Sequence, residues 1–227
     1  MQKIIKNLFF IGIFVCILSI FLILGTYLAM KPNLPQIKYV DESELQMPLK
    51  VYTKDGVLIG EFGEIKRRAT SFNDIPENIK NAFLSAEDDN FFNHQGISYS
   101  GLIRSFVRCL RPSGCQGGGG TITMQVVRGY LLTPEQTIVR KIKEIFLALE
   151  LESNIDKEEI FELYVNRIFL GNRSYGIEAA ANTYFNKNLS DLTVSESATI
   201  AAIAQLPSRI NPVKDPRRTL QRRDWIL

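Results

Sequence analysis

The sequence predicts a mainly α-helical domain with a small β-hairpin, preceded by one hydrophobic helix at the amino terminus. Three observations support this fold class. The run from Leu8 to Met30 is apolar and contains no charged residue. Short apolar segments flank the pair Asp55-Gly56, which is a signal for a hairpin turn. From Pro76 onward, apolar residues recur at helical spacing, so the rest of the domain is expected to be helical.

The amino-terminal run is long enough, at roughly 35 Å as a helix, to cross a bilayer with some tilt. A cleavable signal peptide is the alternative, but its apolar core would be ~7–15 residues long, and Tyr27-Leu28-Ala29-Met30 is a poor cleavage site. Lys3 and Lys6 precede the run, so the positive-inside rule predicts that its amino-terminal side is cytoplasmic. Everything that follows the run is then expected to be extracytoplasmic. We expect a cytoplasmic tail at 1–7, a transmembrane anchor at 8–30, a linker at 31–48 and one extracytoplasmic domain at 49–227.

The remaining elements follow from turn and capping signals. The expected strands cover residues 49–53 and 57–59. The first helix of the domain is expected after Pro76, because apolar residues fall on one face at Ile79, Ala82, Phe83 and Ala86. Three later helices are expected behind capping boxes: Thr133 with Gln136 before a helix to about Glu152, Asp156 with Glu159 before 157–168, and Thr193 with Glu196 before 194–205.

Composition narrows the classes of function. The formal net charge is +3, so nucleic-acid binding has no global electrostatic support. The chain has one histidine and no Cys-x-x-Cys pair, which leaves a structural zinc site almost without ligands. Cys16 lies in the hydrophobic run, and the sequence leaves open whether Cys109 and Cys115 form a disulfide.

The segment 87–96, which reads EDDNFFNHQG, combines three consecutive acids, two aromatic residues and the only histidine. The acids fall at the carboxyl end of the helix expected after Pro76. That end of the helix dipole disfavours negative charge by ~0.3–1 kcal/mol for each exposed group. A local conflict of this kind is typical of a functional site.

A second unusual stretch is the glycine run at 117–120, which leads into Thr121. If a helix begins there, then Thr121, Gln125 and Arg128 share one face. Backbone amides at a glycine-rich helix start, with a cation nearby, would suit an anionic or sugar ligand. The alternative is a flexible loop before an ordinary polar helix face.

A third stretch places Arg140 and Lys141 within one helical turn of Glu144. Solvated ion pairs are the simpler interpretation, and each would contribute only ~0.2–0.5 kcal/mol. The alternative is a cation cluster for a phosphate with a carboxylate beside it, since arginine and lysine both bind phosphate oxygens.

In order and spacing, these stretches resemble the signature motifs of the peptidoglycan glycosyltransferases of glycosyltransferase family 51, the catalytic module of monofunctional transglycosylases and class A penicillin-binding proteins. The family's first motif, E-D-x-x-F-x-x-H-x-G, is matched at Glu87, Asp88, Phe91, His94 and Gly96. The second, G-[GA]-S-T-I-T-x-Q, is matched at Gly118, Gly119, Thr121, Ile122, Thr123 and Gln125, with Gly120 in place of serine. The third, R-K-x-x-E-x-x-x-A-x-x-L-E, is matched at Arg140, Lys141, Glu144, Ala148, Leu151 and Glu152.

The resemblance implies a lysozyme-like, two-lobed glycosyltransferase domain in the bacterial cytoplasmic (inner) membrane. Its expected substrates are lipid II and the nascent glycan chain carried on a polyprenyl pyrophosphate, joined with inversion to a β-1,4 linkage. Other cell-wall synthesis proteins are expected partners, and nucleic acid is not. No organic cofactor is expected, while a divalent cation, Mg²⁺ or Mn²⁺, is allowed as an aid to the pyrophosphate.

The resemblance also assigns roles to residues. By analogy Glu87 is the general base, and Glu144 is a second catalytic carboxylate that organises the acceptor or the pyrophosphate region. Asp88 and His94 are expected to shape the loop and to hold Glu87 by hydrogen bonds. The expected substrate-binding residues are Asp88, Phe91, His94, Thr121, Thr123, Gln125, Arg128, Arg140 and Lys141, of which the three cations would stabilise the leaving pyrophosphate.

Two other functions remain open at this stage. A lysozyme-like hydrolase would also use a glutamate in a mainly helical cleft, but it would not need the three cations or an anchor. A catalytically weak anchor in a wall-building complex is the other alternative, because Gly120 and Met124 depart from the second motif. The sequence also leaves open whether the enzyme is monofunctional or part of a bifunctional penicillin-binding protein.

Overall fold

A computed structural model of the chain describes residues 2–35, 37, 49–62, 70–109, 120–133 and 137–227. Within these ranges the protein is mainly helical, as the sequence predicts. The helices are α1 (Gln2–Met30), α2 (Glu77–Glu87), α3 (Tyr99–Cys109), α4 (Ile122–Leu131), α5 (Ile138–Glu152), α6 (Lys157–Arg167), α7 (Ile177–Phe185), α8 (Val194–Ala204) and α9 (Pro216–Ile226). The strands are β1 (Leu49–Tyr52) and β2 (Leu58–Phe62).

The amino-terminal part of the chain contains α1 and the two strands. β1 and β2 pair antiparallel, with Leu49 opposite Phe62 and an irregularity in the register between Val51 and Tyr52. The turn between them contains Gly56, whose φ of +82° is a conformation that glycine adopts without strain. Counting only the residues that the structure describes, no helix is both long and apolar enough to cross a membrane.

The hydrophobic core is formed both by helices that are distant in sequence, such as α2 and α8, and by consecutive helices, such as α4 and α5. α2 and α9 both pack on α8, and α4 packs against α5 and α6. Phe83, Phe91 and Phe161 are among the largest fully buried side chains, and the ring centres of Phe91 and Phe161 lie 6.2 Å apart. Burying a side chain of this size contributes ~1.5–3 kcal/mol. This packing fixes the end of α2 and the beginning of α4, which carry the motif residues.

Two of the predicted helices agree well with the structure. α2 follows Pro76, and its predicted apolar face is confirmed, because Ile79 and Phe83 are fully buried. The capping box before α8 is also confirmed. The hydroxyl of Thr193 accepts the N–H of Glu196, and the Glu196 carboxylate accepts the N–H of Thr193 at 2.8 Å.

The capping box predicted at Asp156 is not found. Asp156 precedes α6, but its side chain makes no capping hydrogen bond. Two acids in the first turn of α6 already complement the positive end of the helix dipole. α5 begins at Ile138, later than expected, with Thr137 as its N-cap. Part of the box predicted at Thr133 lies at 134–136, outside the described residues.

Candidate active site

Helix α2 ends in the acids that the sequence analysis identified. Glu87 is its last residue, and Asp88 leaves the helix with φ −161° and ψ 81°. The chain then bends at Gly96, where φ is +75°. A Cβ at this position would lie 2.8 Å from the carbonyl oxygen of Ala148, so only glycine fits without a shift. The first motif is therefore packed directly against α5, which carries the third motif.

Asp88 joins the first motif to the beginning of α4. Its carboxylate lies 3.0 Å from His94 Nε2 and accepts the backbone N–H of Ile122 at 3.1 Å. Because Ile122 is the first residue of α4, the carboxylate also lies at the positive end of that helix dipole. We expected Asp88 and His94 to hold Glu87 by hydrogen bonds. Within the described residues that expectation is wrong, since the dipole and free N–H of α4 attract Asp88 instead.

The two threonines of the second motif bond to other parts of the protein. Thr121 is the N-cap of α4, where its hydroxyl accepts the N–H of Met124 at 3.1 Å and donates to the carbonyl of Gly96 at 2.6 Å. Thr123 is fully buried, and its hydroxyl donates to Glu152 at the end of α5. Thr121 therefore caps α4, and its hydroxyl is already hydrogen-bonded within the protein.

A partly buried ion pair connects α5, α6 and the first motif. Lys157 Nζ lies 2.6 Å from Glu152 Oε1 and 4.3 Å from the ring centre of Phe91. Phe91 is fully buried beneath this lysine. The side chains of Phe91 and Thr123, both expected to bind substrate, are thus covered by protein and form the support behind the site.

The Glu87 carboxylate lies between α2 and α4. Gln125 donates its Nε2–H to Glu87 Oε2 at 2.9 Å. Burial raises the pKa of Glu87, and this outweighs the lowering by the Gln125 hydrogen bond and by the charges of Arg222 and Arg128. The nearby charge of Asp88 raises the pKa a little further. A carboxylate with a raised pKa is a better proton acceptor than an ordinary glutamate.

Two residues near Glu87 were not identified as site residues from the sequence. Tyr164 in α6 has a buried hydroxyl that finds no hydrogen-bond partner among the residues described. Burial, and next the charge of Glu87, raise the pKa of Tyr164 well above its usual value. Arg222 in α9 donates from Nη2 to the carbonyl of Ala86 at 3.0 Å. Arg222 belongs to no local pattern that distinguishes it from an ordinary helix residue.

Glu144 lies between two cations on α5. Its side chain is 1% exposed, with Oε2 accepting from Lys141 Nζ at 2.9 Å and Oε1 lying 3.2 Å from Arg140 Nε. The simpler interpretation of solvated ion pairs is wrong for this carboxylate, because it is buried. Lys141 itself is 41% exposed, and its Nζ would lie 3.7 Å from a Cβ at Gly120. The cations of the third motif therefore lie beside the glycine that precedes α4.

The structure thus connects all three motifs around the start of α4. Arg128 is exposed on α4, and its charge lowers the pKa of Glu87. Among the residues described, no three His, Cys, Asp or Glu side chains are grouped as a metal site. Asp88, the carboxylate next to Glu87, is already bonded to His94 and α4. Within the described residues this donor set does not fit a resident metal ion, and assistance by Mg²⁺ or Mn²⁺ stays a prediction.

Comparison with known proteins gives consistent similarities. A family model described as Transglycosylase matches residues 55–227. Penicillin-binding protein 1A of Pseudomonas aeruginosa is 51% identical over 203 residues, which make up 89% of this chain and 25% of that protein. Penicillin-binding protein 1A of Escherichia coli (strain K12) is 37% identical over 226 residues, 100% of this chain and 27% of that protein. The chain spans about a quarter of the length of these curated relatives.

A solved structure is similar as well. The 2.6 Å crystal structure of penicillin-binding protein 1A from Haemophilus influenzae is 32% identical to this chain and aligns with a TM-score of 0.43. The alignment covers 81% of this chain and 18% of that one.

Proposed function

The chain belongs to the transglycosylase family, and from this membership we propose that it polymerises the glycan strands of peptidoglycan. The donor is the growing glycan on its polyprenyl pyrophosphate, and the acceptor is lipid II. The 4-hydroxyl oxygen of the acceptor attacks the anomeric carbon of the donor, a β-1,4 bond forms with inversion, and the bond to the lipid pyrophosphate breaks. The hydroxyl proton passes to Glu87.

The observation that carries this proposal is the environment of Glu87. Its burial raises the pKa, which brings it closer to the working pH, where a general base is most effective. The hydrogen bond from Gln125 fixes the direction of the Glu87 carboxylate. The amide proton of Gln125 is not the proton that the reaction transfers. A base positioned in this way typically accelerates the reaction by ~10²–10⁴-fold.

The leaving pyrophosphate needs positive charge, since negative charge develops on it as its bond to the anomeric carbon breaks. Arg140 and Lys141 are held by the buried carboxylate of Glu144, and Arg128 adds a third cation from α4. In this proposal Glu144 acts by orienting the two cations of α5. Arg140 and Lys141 then receive the departing phosphate oxygens.

Membrane attachment is part of the same proposal. Both substrates are lipid-linked, so the site must lie at a bilayer surface, in a lysozyme-like domain beside it. The uncharged run at 8–30 supports a single-pass anchor in the inner membrane, with the domain on the extracytoplasmic side. Extraction of a membrane fraction with sodium carbonate tests it: the protein should stay in the pellet, and release into the supernatant would contradict an anchor.

The activity is tested with purified protein and fluorescently labelled lipid II. The wild-type chain should produce polymer, and Glu87→Gln should lower the rate at least ~10²-fold, because the amide cannot accept the proton. Asp89→Asn is the matched control: it removes the charge of an exposed neighbouring acid and should leave the rate unchanged. An unaltered rate in Glu87→Gln would remove the assignment of the base.

The same assay separates the alternatives. A hydrolase would shorten preformed glycan strands and make no polymer from lipid II. A catalytically weak wall-complex protein would do neither, and Glu87→Gln would behave like the wild type. Repeating the reaction with EDTA, and then with added Mg²⁺ or Mn²⁺, tests the predicted assistance by a divalent cation.

A further inference from the structure

The acids at the end of α2 have a partner that comes from the other end of the chain. The last carbonyl groups of a helix have no hydrogen-bond donor within the helix. For Ala86, directly before Glu87, that donor is Nη2 of Arg222 at 3.0 Å, across 136 positions of sequence. A cation at the carboxyl end of a helix also interacts favourably with the helix dipole. Arg222 therefore reduces the electrostatic conflict that the acids create there.

Arg222 is itself well fixed. Its guanidinium lies 4.1 Å from the ring centre of Trp225, one turn further along α9, in a cation–π contact. Among the described residues, no carboxylate lies close enough to form an ion pair with Arg222. Its Nε is buried, again without a hydrogen-bond partner in the described part of the chain. The charge of this guanidinium is thus not neutralised by a direct ion pair, and it acts on Glu87.

The charged and titratable groups that face Glu87 come from four elements. Arg222 in α9 and Arg128 in α4 favour its ionised form, and Arg222 is the stronger of the two. Asp88 disfavours it, and Tyr164 in α6 faces it with a buried hydroxyl. Arg128 is exposed and is screened by water, whereas Arg222 is half-buried. Arg222 is accordingly the cation best placed to offset the burial of the Glu87 carboxylate.

We propose that Arg222 is the positioning residue of Glu87: it fixes the end of α2 through the Ala86 carbonyl and holds a positive charge close to the Glu87 carboxylate. The inference rests on the proposed function, in which Glu87 must be ionised to accept the proton. Arg222 needs no contact with substrate for this role, because it acts through the backbone and the field at Glu87.

The pH profile of polymerisation separates this role from a purely structural one. In Arg222→Gln, the acid limb of kcat/KM should move to higher pH, because Glu87 loses the cation that lowers its pKa. At a fixed pH on the acid side of the profile, kcat/KM should be about tenfold lower than in the wild type for each pH unit by which the limb has moved. At high pH it should return to the wild-type value. Arg222→Lys keeps the charge but lacks the planar fork, so its limb should return most of the way to the wild-type position.

Arg223→Gln is the matched control. It removes a charge from the next residue of the same helix, where the guanidinium bonds to Asp224 at 2.5 Å. Its acid limb should coincide with that of the wild type. A general fall in rate for Arg222→Gln with an unmoved limb would overturn the proposal, because a merely structural contact between α9 and α2 would give that result.

A second measurement needs no activity and so distinguishes failure of the inference from failure of the proposed function. The free energy of unfolding is measured for the wild type, Arg222→Gln, Glu87→Gln and the double variant. The two substitutions should couple at neutral pH and become additive in acid, where Glu87 is protonated. If wild-type protein makes no polymer but the coupling is present, the polymerase function fails and the Arg222–Glu87 interaction stands. Additivity at both pH values would overturn the interaction itself.

Discussion

Replacing Gly96 with alanine should destabilise the protein through two separable effects. The backbone of Gly96 has φ +75°, and a left-handed conformation costs a residue with a Cβ ~1–2 kcal/mol. The new Cβ would lie 2.8 Å from the oxygen and 3.0 Å from the carbon of the Ala148 carbonyl, which belong to helix backbone and cannot turn aside. Overpacking of this kind adds ~1–3 kcal/mol. The total loss should be ~2–5 kcal/mol.

The chain contains a matched control for the first effect. Gly56 has a similar φ of +82°, but a Cβ there would meet nothing within 4 Å. Gly56→Ala should therefore lose only ~1–2 kcal/mol, and the reduced entropy of the unfolded chain applies equally to both variants. The difference between the two variants isolates the contact of the first motif with α5.

Both variants would be followed by thermal and chemical denaturation with circular dichroism. A loss of ~2–5 kcal/mol should lower the melting temperature by roughly 4–20 °C in a chain of this size. Gly96→Ala should also slow polymerisation, because the Gly96 carbonyl holds Thr121 and a shifted loop would move Glu87. If Gly96→Ala loses no more stability than Gly56→Ala, the tight packing of the loop on α5 is refuted.

Three other substitutions test pH linkage and capping. Burial raises the pKa of Glu87, so its contribution to stability is present in acid and lost as the pH rises through the folded pKa. Glu87→Gln should therefore melt above the wild type at neutral pH, and the gap should close in acid; a constant gap would contradict this. The hydrogen bond from Lys187 and the capping N–H lower the pKa of Glu196, so Glu196→Gln should lose stability at neutral pH and not in acid. Thr193→Ala should lose ~1 kcal/mol, measured by urea denaturation, and no loss would exclude the capping box.

The sequence anticipated those features that depend on neighbours within about one helical turn. The apolar face of α2 and the capping box of α8 were correct, because both involve residues three or four positions apart. The box at Asp156 failed although its residue types were right. A capping residue only offers an acceptor, and the surrounding structure decides whether the side chain turns toward the helix.

The hydrogen bonds within the first motif were less predictable. His94 and Asp88 were expected to hold Glu87, yet both belong to a connection with the start of α4. Glu87 is held by Gln125 instead, which the sequence had assigned to the substrate. The sequence pattern predicted the faces of α2 and of α4 one helix at a time. It did not predict their relative orientation, because that depends on the packing of both helices on the rest of the core.

The sequence by itself determined the mainly helical class, the family resemblance and the acidic residues at the end of α2. All of these depend only on the order and spacing of residues along the chain. The sequence left those acids as an electrostatic conflict. Only the tertiary structure supplied the resolution, by packing α9 near α2 so that Arg222 reaches the Ala86 carbonyl. The physical reason is that charge and hydrogen bonding act through space, whereas sequence patterns report only on neighbours along the chain.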